Sequence, residues 1–237
     1  TRSDMEQQTK IYILPPNQRL TLHALSDTKE ALPDVIPWRG VHERLALAME
    51  GITSGRPDQF ATAIAEFQRM EHDYGHELDQ PEPATAVFTS MNIRADNAYS
   101  IESDSGKAIS ILDKILVLFD RHRTSYGNGD APIVEQVAKA MFNKGFTMGS
   151  MGKGEEEIAV YDDLVQRFAL RDESGIAEWV AKAMSNKGIM LKSMGSHTEA
   201  IAICNEIELR FGKRKEHGIA EVVDFTKKFK EDLSTGK

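Results

Sequence analysis

Asparagine recurs at Asn143 and Asn186, 43 residues apart, and a lysine stands one helical turn before each, at Lys139 and Lys182. A side-chain amide carries both a donor and an acceptor, which suits it to pair with a peptide group, and a neighbouring lysine offers a point charge to a carboxylate. Phe142, Phe146, Ile189 and Lys192 fall close to the same helical positions. They would add apolar contacts and a further cation for an acidic segment or a C-terminal carboxylate. The same asparagines also read as ties between neighbouring helices, and the sequence leaves both readings open.

Other groups suggest chemistry less well. Gly149-Ser150-Met151-Gly152-Lys153-Gly154 resembles a phosphate-cradling loop, but Thr147 and Gly154 stand where that loop needs Gly and Ser or Thr. It reads as a turn inside a helical hairpin. The run Glu155-Glu156-Glu157 opens a helix, where carboxylates favour the positive end of the macrodipole. His72 and His76 lack a third ligand and read as a solvated helix end rather than a zinc site. No Ser-His-Asp, Cys-His or paired-carboxylate set has a persuasive context, so neither catalysis nor a metal or other cofactor is expected.

The formal charge of -8 over 237 residues argues against a general nucleic-acid binder, which needs a Lys/Arg excess. Residues 1–40 are neutral, with five basic and five acidic side chains, so the excess acid lies in residues 41–237. No run approaches the roughly 18 apolar residues of a membrane span, and membrane insertion is not expected. Cys204 is the only cysteine, which excludes an intrachain disulfide and a thiolate cage. It occupies the register of Tyr161 and reads as a core thiol, with a reducing, cytoplasmic compartment as its natural home.

The elements that must position these residues are legible as a repeat. Residues Ile133 to Phe168 and Ile176 to Phe211 align without a gap, and 18 of the 36 paired positions are identical, including Val137-Ala138-Lys139-Ala140-Met141 and Val180-Ala181-Lys182-Ala183-Met184. Two more degenerate copies precede them, giving four hairpins at about 41–74, 86–119, 133–168 and 176–211. A fixed period of this kind marks helical hairpins that bury their apolar faces against their neighbours. Val137, Ala140, Met141, Gly145 and Met148 trace one helical face. Small residues at Ala140, Gly145, Ala183 and Gly188 let the second helix approach closely. Gly152 and Gly195 fall between the helices. Gly218-Ile219-Ala220-Glu221 restarts the pattern, and a single helix at about 219–233 is expected to close the stack.

The order Gly188, Gly195, Glu199, Ala200-Ile201, Cys204, Phe211 resembles the tetratricopeptide repeat. Here the period is 43 rather than that family's 34, and Met141 and Met184 stand where the family often has Trp. Residues such as Ile176-Ala177-Glu178-Trp179 are expected to lengthen the first helix of each pair by about two turns. The resemblance implies an all-α, right-handed solenoid of antiparallel helix pairs whose first helices line a concave surface. It also implies that Asn143 and Asn186 bond the backbone of an extended peptide there.

Residues 1–40 stand outside the repeat. Lys10-Ile11-Tyr12-Ile13-Leu14 and Arg19-Leu20-Thr21-Leu22-His23 around Pro15-Pro16-Asn17-Gln18 read as a β-hairpin, with Ile36-Pro37-Trp38 anchoring it to the first repeat. The expected function is a non-catalytic scaffold or adaptor that binds a protein or peptide segment. Two alternatives stand beside it: a homodimerising module in which residues 10–25 add strands across the interface, and a regulatory fragment of a larger enzyme.

Overall fold

Proline opens several helices where its missing N–H costs nothing: Pro57 and Pro81 are first residues of their helices, and Pro132 is the second of its own. Between the two helices of each pair the chain enters the left-handed region, at Gly55 (φ 71°), Ser103 (φ 56°), Gly152 (φ 77°) and Gly195 (φ 84°). At Gly152 the turn closes with the Lys153 N–H donating to the Met148 carbonyl at 3.0 Å, and at Gly195 the Ser196 N–H donates to Leu191 at 2.9 Å. Asp104 caps its helix by accepting from the Lys107 N–H at 2.8 Å.

The computed structural model describes residues 39–126 and 130–235. The expected hairpin of residues 10–23 and the Trp38 anchor lie outside the described residues. The chain divides into two compact units, Thr1–Met70 and Glu71–Lys237. In the first, α1 (Arg39–Thr53) is followed by α2 (Pro57–Tyr74), whose last turn belongs to the second unit. Arg44 of α1 pairs with Glu66 of α2 at 2.6 Å. A Cβ at Gly51 would lie 3.0 Å from the Ala63 Cβ.

The second unit contains α3 (Pro81–Ser100), α4 (Ser105–His122), α5 (Ala131–Ser150), α6 (Gly154–Phe168), α7 (Ser174–Ser193), α8 (His197–Phe211) and α9 (His217–Thr235), with a 3-10 turn at Arg123–Ser125. The described residues are all helix, turn and loop, and the helices pack in sequence. Each odd-numbered helix from α3 to α7 packs on the even helix after it; α3, α5, α7 and α9 pack side by side in order; α4, α6 and α8 each also meet the next odd helix. The odd helices α3, α5 and α7 run 20 residues. Their partners α6 and α8 run 15, the asymmetry the long repeat period demands.

The core is a seam of small and large residues. Ala138, Ala140, Ala181 and Ala183 are fully buried and bring helices close, while Tyr161, Leu164, Cys204 and Ile207 fill the space from the second helices. A basic residue then ties each odd helix to the helix before it: Arg94 to Glu71, Lys144 to Asp113 at 2.6 Å, Lys187 to Asp162 and Lys230 to Glu208 at 3.0 Å. In α9 the positions of Ala138 and Ala181 carry Asp224, and those of Phe142 and Ser185 carry Lys228, both exposed. The last described helix thus presents charge at positions that the preceding odd helices bury.

Candidate functional site

On α5, α7 and the end of α3, the side chains left open by core packing form one face. Lys139 sits half-buried on α5, and burial holds its amine below the usual lysine range while Asp96 of α3 and Glu135 of α5 oppose that shift; Lys182 adds to it. Asp96 is exposed, yet the protein around it pushes its carboxyl up, with Lys139 pulling the other way. Glu135 is raised by burial first and by Glu178 second. Lys182 is closed off, bonded to Glu178 at 2.6 Å and lying 4.6 Å over the Trp179 ring.

Two glycines make the carboxylates' positions possible. A Cβ at Gly175, in the first turn of α7, would run into the Glu135 carboxyl, and one at Gly218, in the first turn of α9, into that of Glu178. Each glutamate therefore lies at the positive end of the next odd helix, where a negative charge is favoured. The paired motif Gly-Ile-Ala-Glu at 175–178 and 218–221 has its physical reason here: the glycine admits the preceding helix's glutamate.

The candidate residues separate. Asn143 is half-buried on the open face, and its side chain has no hydrogen bond among the described contacts. Asn186 is 7% exposed, and its Nδ2 donates to the Tyr161 hydroxyl at 3.2 Å, so this asparagine ties α7 to α6. Phe142 is buried between Tyr161 (5.9 Å) and Trp179 (5.3 Å), within the joint between hairpins. Phe146 is half-buried with its ring edge-on to Tyr99 at 5.6 Å. Ile189 is half-buried, and Lys192 lies 5.4 Å over the Phe229 ring. The open face thus holds Lys139, Asn143 and Phe146, with Ile189; Lys182 is engaged by Glu178 and Trp179 and Lys192 by Phe229, and Phe142 and Asn186 serve packing.

Sequence reasoning missed Asp96, Tyr99, Glu135, Glu178 and Trp179. Glu135 and Glu178 are 43 residues apart and each precedes a lysine by four, a spacing that brings side chains together on a helix, so that signal was present. Tyr99 and Asp96 lie in a degenerate copy, and only their contacts reveal them.

His72 and His76 are exposed and lie 3.2 Å from the carboxylates of Asp73 and Glu77. No group of three or more His, Cys, Asp or Glu among the described residues could hold a metal ion. No helix among them is long and apolar enough to cross a membrane. Cys204 is buried, and burial pushes its thiol up to about 11. The acidic run behaves less uniformly than expected: Glu155 and Glu156 are exposed at the start of α6, whereas Glu157 is buried against α5.

No family model matches this chain, and no curated protein or solved structure matches it.

Proposed function

We propose that this protein is a non-catalytic scaffold whose odd helices bind an extended protein or peptide segment, on a stack built like tetratricopeptide repeats. In this reading the stack is a right-handed superhelix with α3, α5 and α7 on its concave side. Close packing of the alanine-rich odd helices supports that curvature, because the side with the smaller residues is the shorter one. The observation that carries the reading is the open face itself: Asp96 is solvent-exposed with Lys139 of the next odd helix facing it, and Asn143, one turn on from Lys139, is half-buried with no side-chain hydrogen bond among the described contacts. A peptide backbone supplies matching groups at each step of an extended chain. The lone buried thiol agrees with a cytoplasmic setting.

The test is selection of binding peptides from a displayed library, followed by calorimetry with Asn143→Ala, Lys139→Ala and, as a control on the opposite side of the stack, Leu209→Ser. Loss of at least tenfold in affinity for the first two, with helical content preserved and the control unaffected, is the expected result. Selected peptides that bind all three variants like the parent protein would remove the odd-helix face as the site.

A further inference from the structure

Glu157 is the one member of the acidic run that leaves water. Its residue is 5% exposed, and Oε2 is buried without a hydrogen-bond partner among the described residues. Its carboxyl occupies the space that a side chain at position 149 would need, so Gly149 exists as the carboxyl's seat. The Tyr161 hydroxyl, one turn on, faces the same carboxyl. Because Asn186 Nδ2 donates to that hydroxyl, the tyrosine's own proton is free to point at Glu157. The result is a polar chain from α6 to α7, Glu157 to Tyr161 to Asn186, inside an otherwise apolar joint.

We propose that Glu157 is a proton-operated latch: neutral, it lets the first turn of α6 lie on α5 and holds Tyr161 against Asn186; ionised, it releases that turn. No cation among the described residues offsets the charge. From α5, Lys144 goes to Asp113, and Lys139 stands among Asp96 and Glu135. From α7, Lys187 goes to Asp162, Lys182 to Glu178, and Lys192 over Phe229. Lys153, just before α6, and Glu155 and Glu156 on it are exposed. Burial therefore dominates and raises the carboxyl to about 7, against the smaller opposite pull of Tyr161. The next hairpin is a built-in control: Ala200, Lys192 and Cys204 stand at the registers of Glu157, Gly149 and Tyr161.

The sign comes from the raised value. The latch is fully closed below the ordinary carboxyl range, near 4.5, and loses its hold as pH rises from there through about 7. Opening of the α5–α6 turn should rise on the order of 100-fold across that window. The experiment is carbon-detected NMR titration of the glutamate carboxyls, together with amide exchange at residues 149–157, corrected for intrinsic rates, at pH 5 and pH 8. Expected are one carboxyl titrating near 7 that disappears in Glu157→Gln, and a pH-dependent opening that the variant abolishes while residues 192–200 stay unchanged in both. If every carboxyl of the wild-type protein titrates below 6, or the variant keeps the same pH dependence, the latch is overturned. The wild-type titration decides the matter even if the variant fails to fold.

Discussion

The hairpins α5–α6 and α7–α8 share half of their aligned residues and the same turn geometry at Gly152 and Gly195. They nevertheless join their neighbours differently. In α5–α6 the second helix contributes Tyr161, a fully buried ring that touches Phe142 and bonds Asn186 of the next hairpin. In α7–α8 the same register holds Cys204, and Phe229 of α9 comes in from the far side instead. Identical positions give the helix pair its frame; among the half that differ, those at the joint decide how tightly one pair grips the next.

The largest expected effect tests that grip directly. Tyr161→Ala removes a fully buried ring and leaves Asn186 without its acceptor, and should cost about 3 to 5 kcal/mol in chemical denaturation. Cys204→Ala removes one sulfur and should cost about 1 kcal/mol. Equal losses would mean that the two joints are equivalent and the contrast between them is empty.

The glycines facing these residues sharpen it. A Cβ at Gly145 would lie 2.5 Å from the Tyr161 ring, whereas at Gly188 the nearest atom, on Ile203, is 3.7 Å away. Gly145→Ala should therefore destabilise by about 1 to 3 kcal/mol through overpacking. Gly188→Ala meets only ordinary contact and should stabilise by about 0.5 to 1 kcal/mol, since alanine loses less backbone freedom in a helix. In a Tyr161→Cys background the penalty of Gly145→Ala should shrink, a coupling that a double-mutant cycle measures.

These contrasts also explain how much of the molecule is legible in its sequence. The helix pairs are legible because periodicity, small residues and turn glycines repeat at one spacing, and local pattern is what a helix depends on. The sequence points to a tight Gly145 and Gly188 alike, because nothing in their own helix distinguishes them; the difference comes from Tyr161 and Cys204 across the joint. Asn143 and Asn186 likewise read as one ladder. Only contact with Tyr161 assigns Asn186 to packing and leaves Asn143 on the open face. Lys144 and Lys187, adjacent to those asparagines, give no signal of their own because their partners Asp113 and Asp162 lie in other helices at unequal separations.

Those lysines supply the smallest effect and a further check on whether the joints differ only at the tyrosine. Lys144 is paired to Asp113 with its side chain 20% exposed, and Lys187 to Asp162 with 19%, so the two ion pairs are nearly matched in burial and screening. Lys230, paired to Glu208 in the last joint, is more open at 32%. Partly exposed pairs of this kind contribute about 0.2 to 1 kcal/mol each and weaken with added salt. Replacing Lys144 or Lys187 by methionine, which keeps the apolar stem, should therefore lower stability by similar amounts within that range. Lys230→Met should cost less than either. If Lys187→Met costs clearly more than Lys144→Met in matched salt titrations, the joint after α6 carries an electrostatic contribution besides Tyr161 and Asn186, and the ring alone would not account for the stronger grip there.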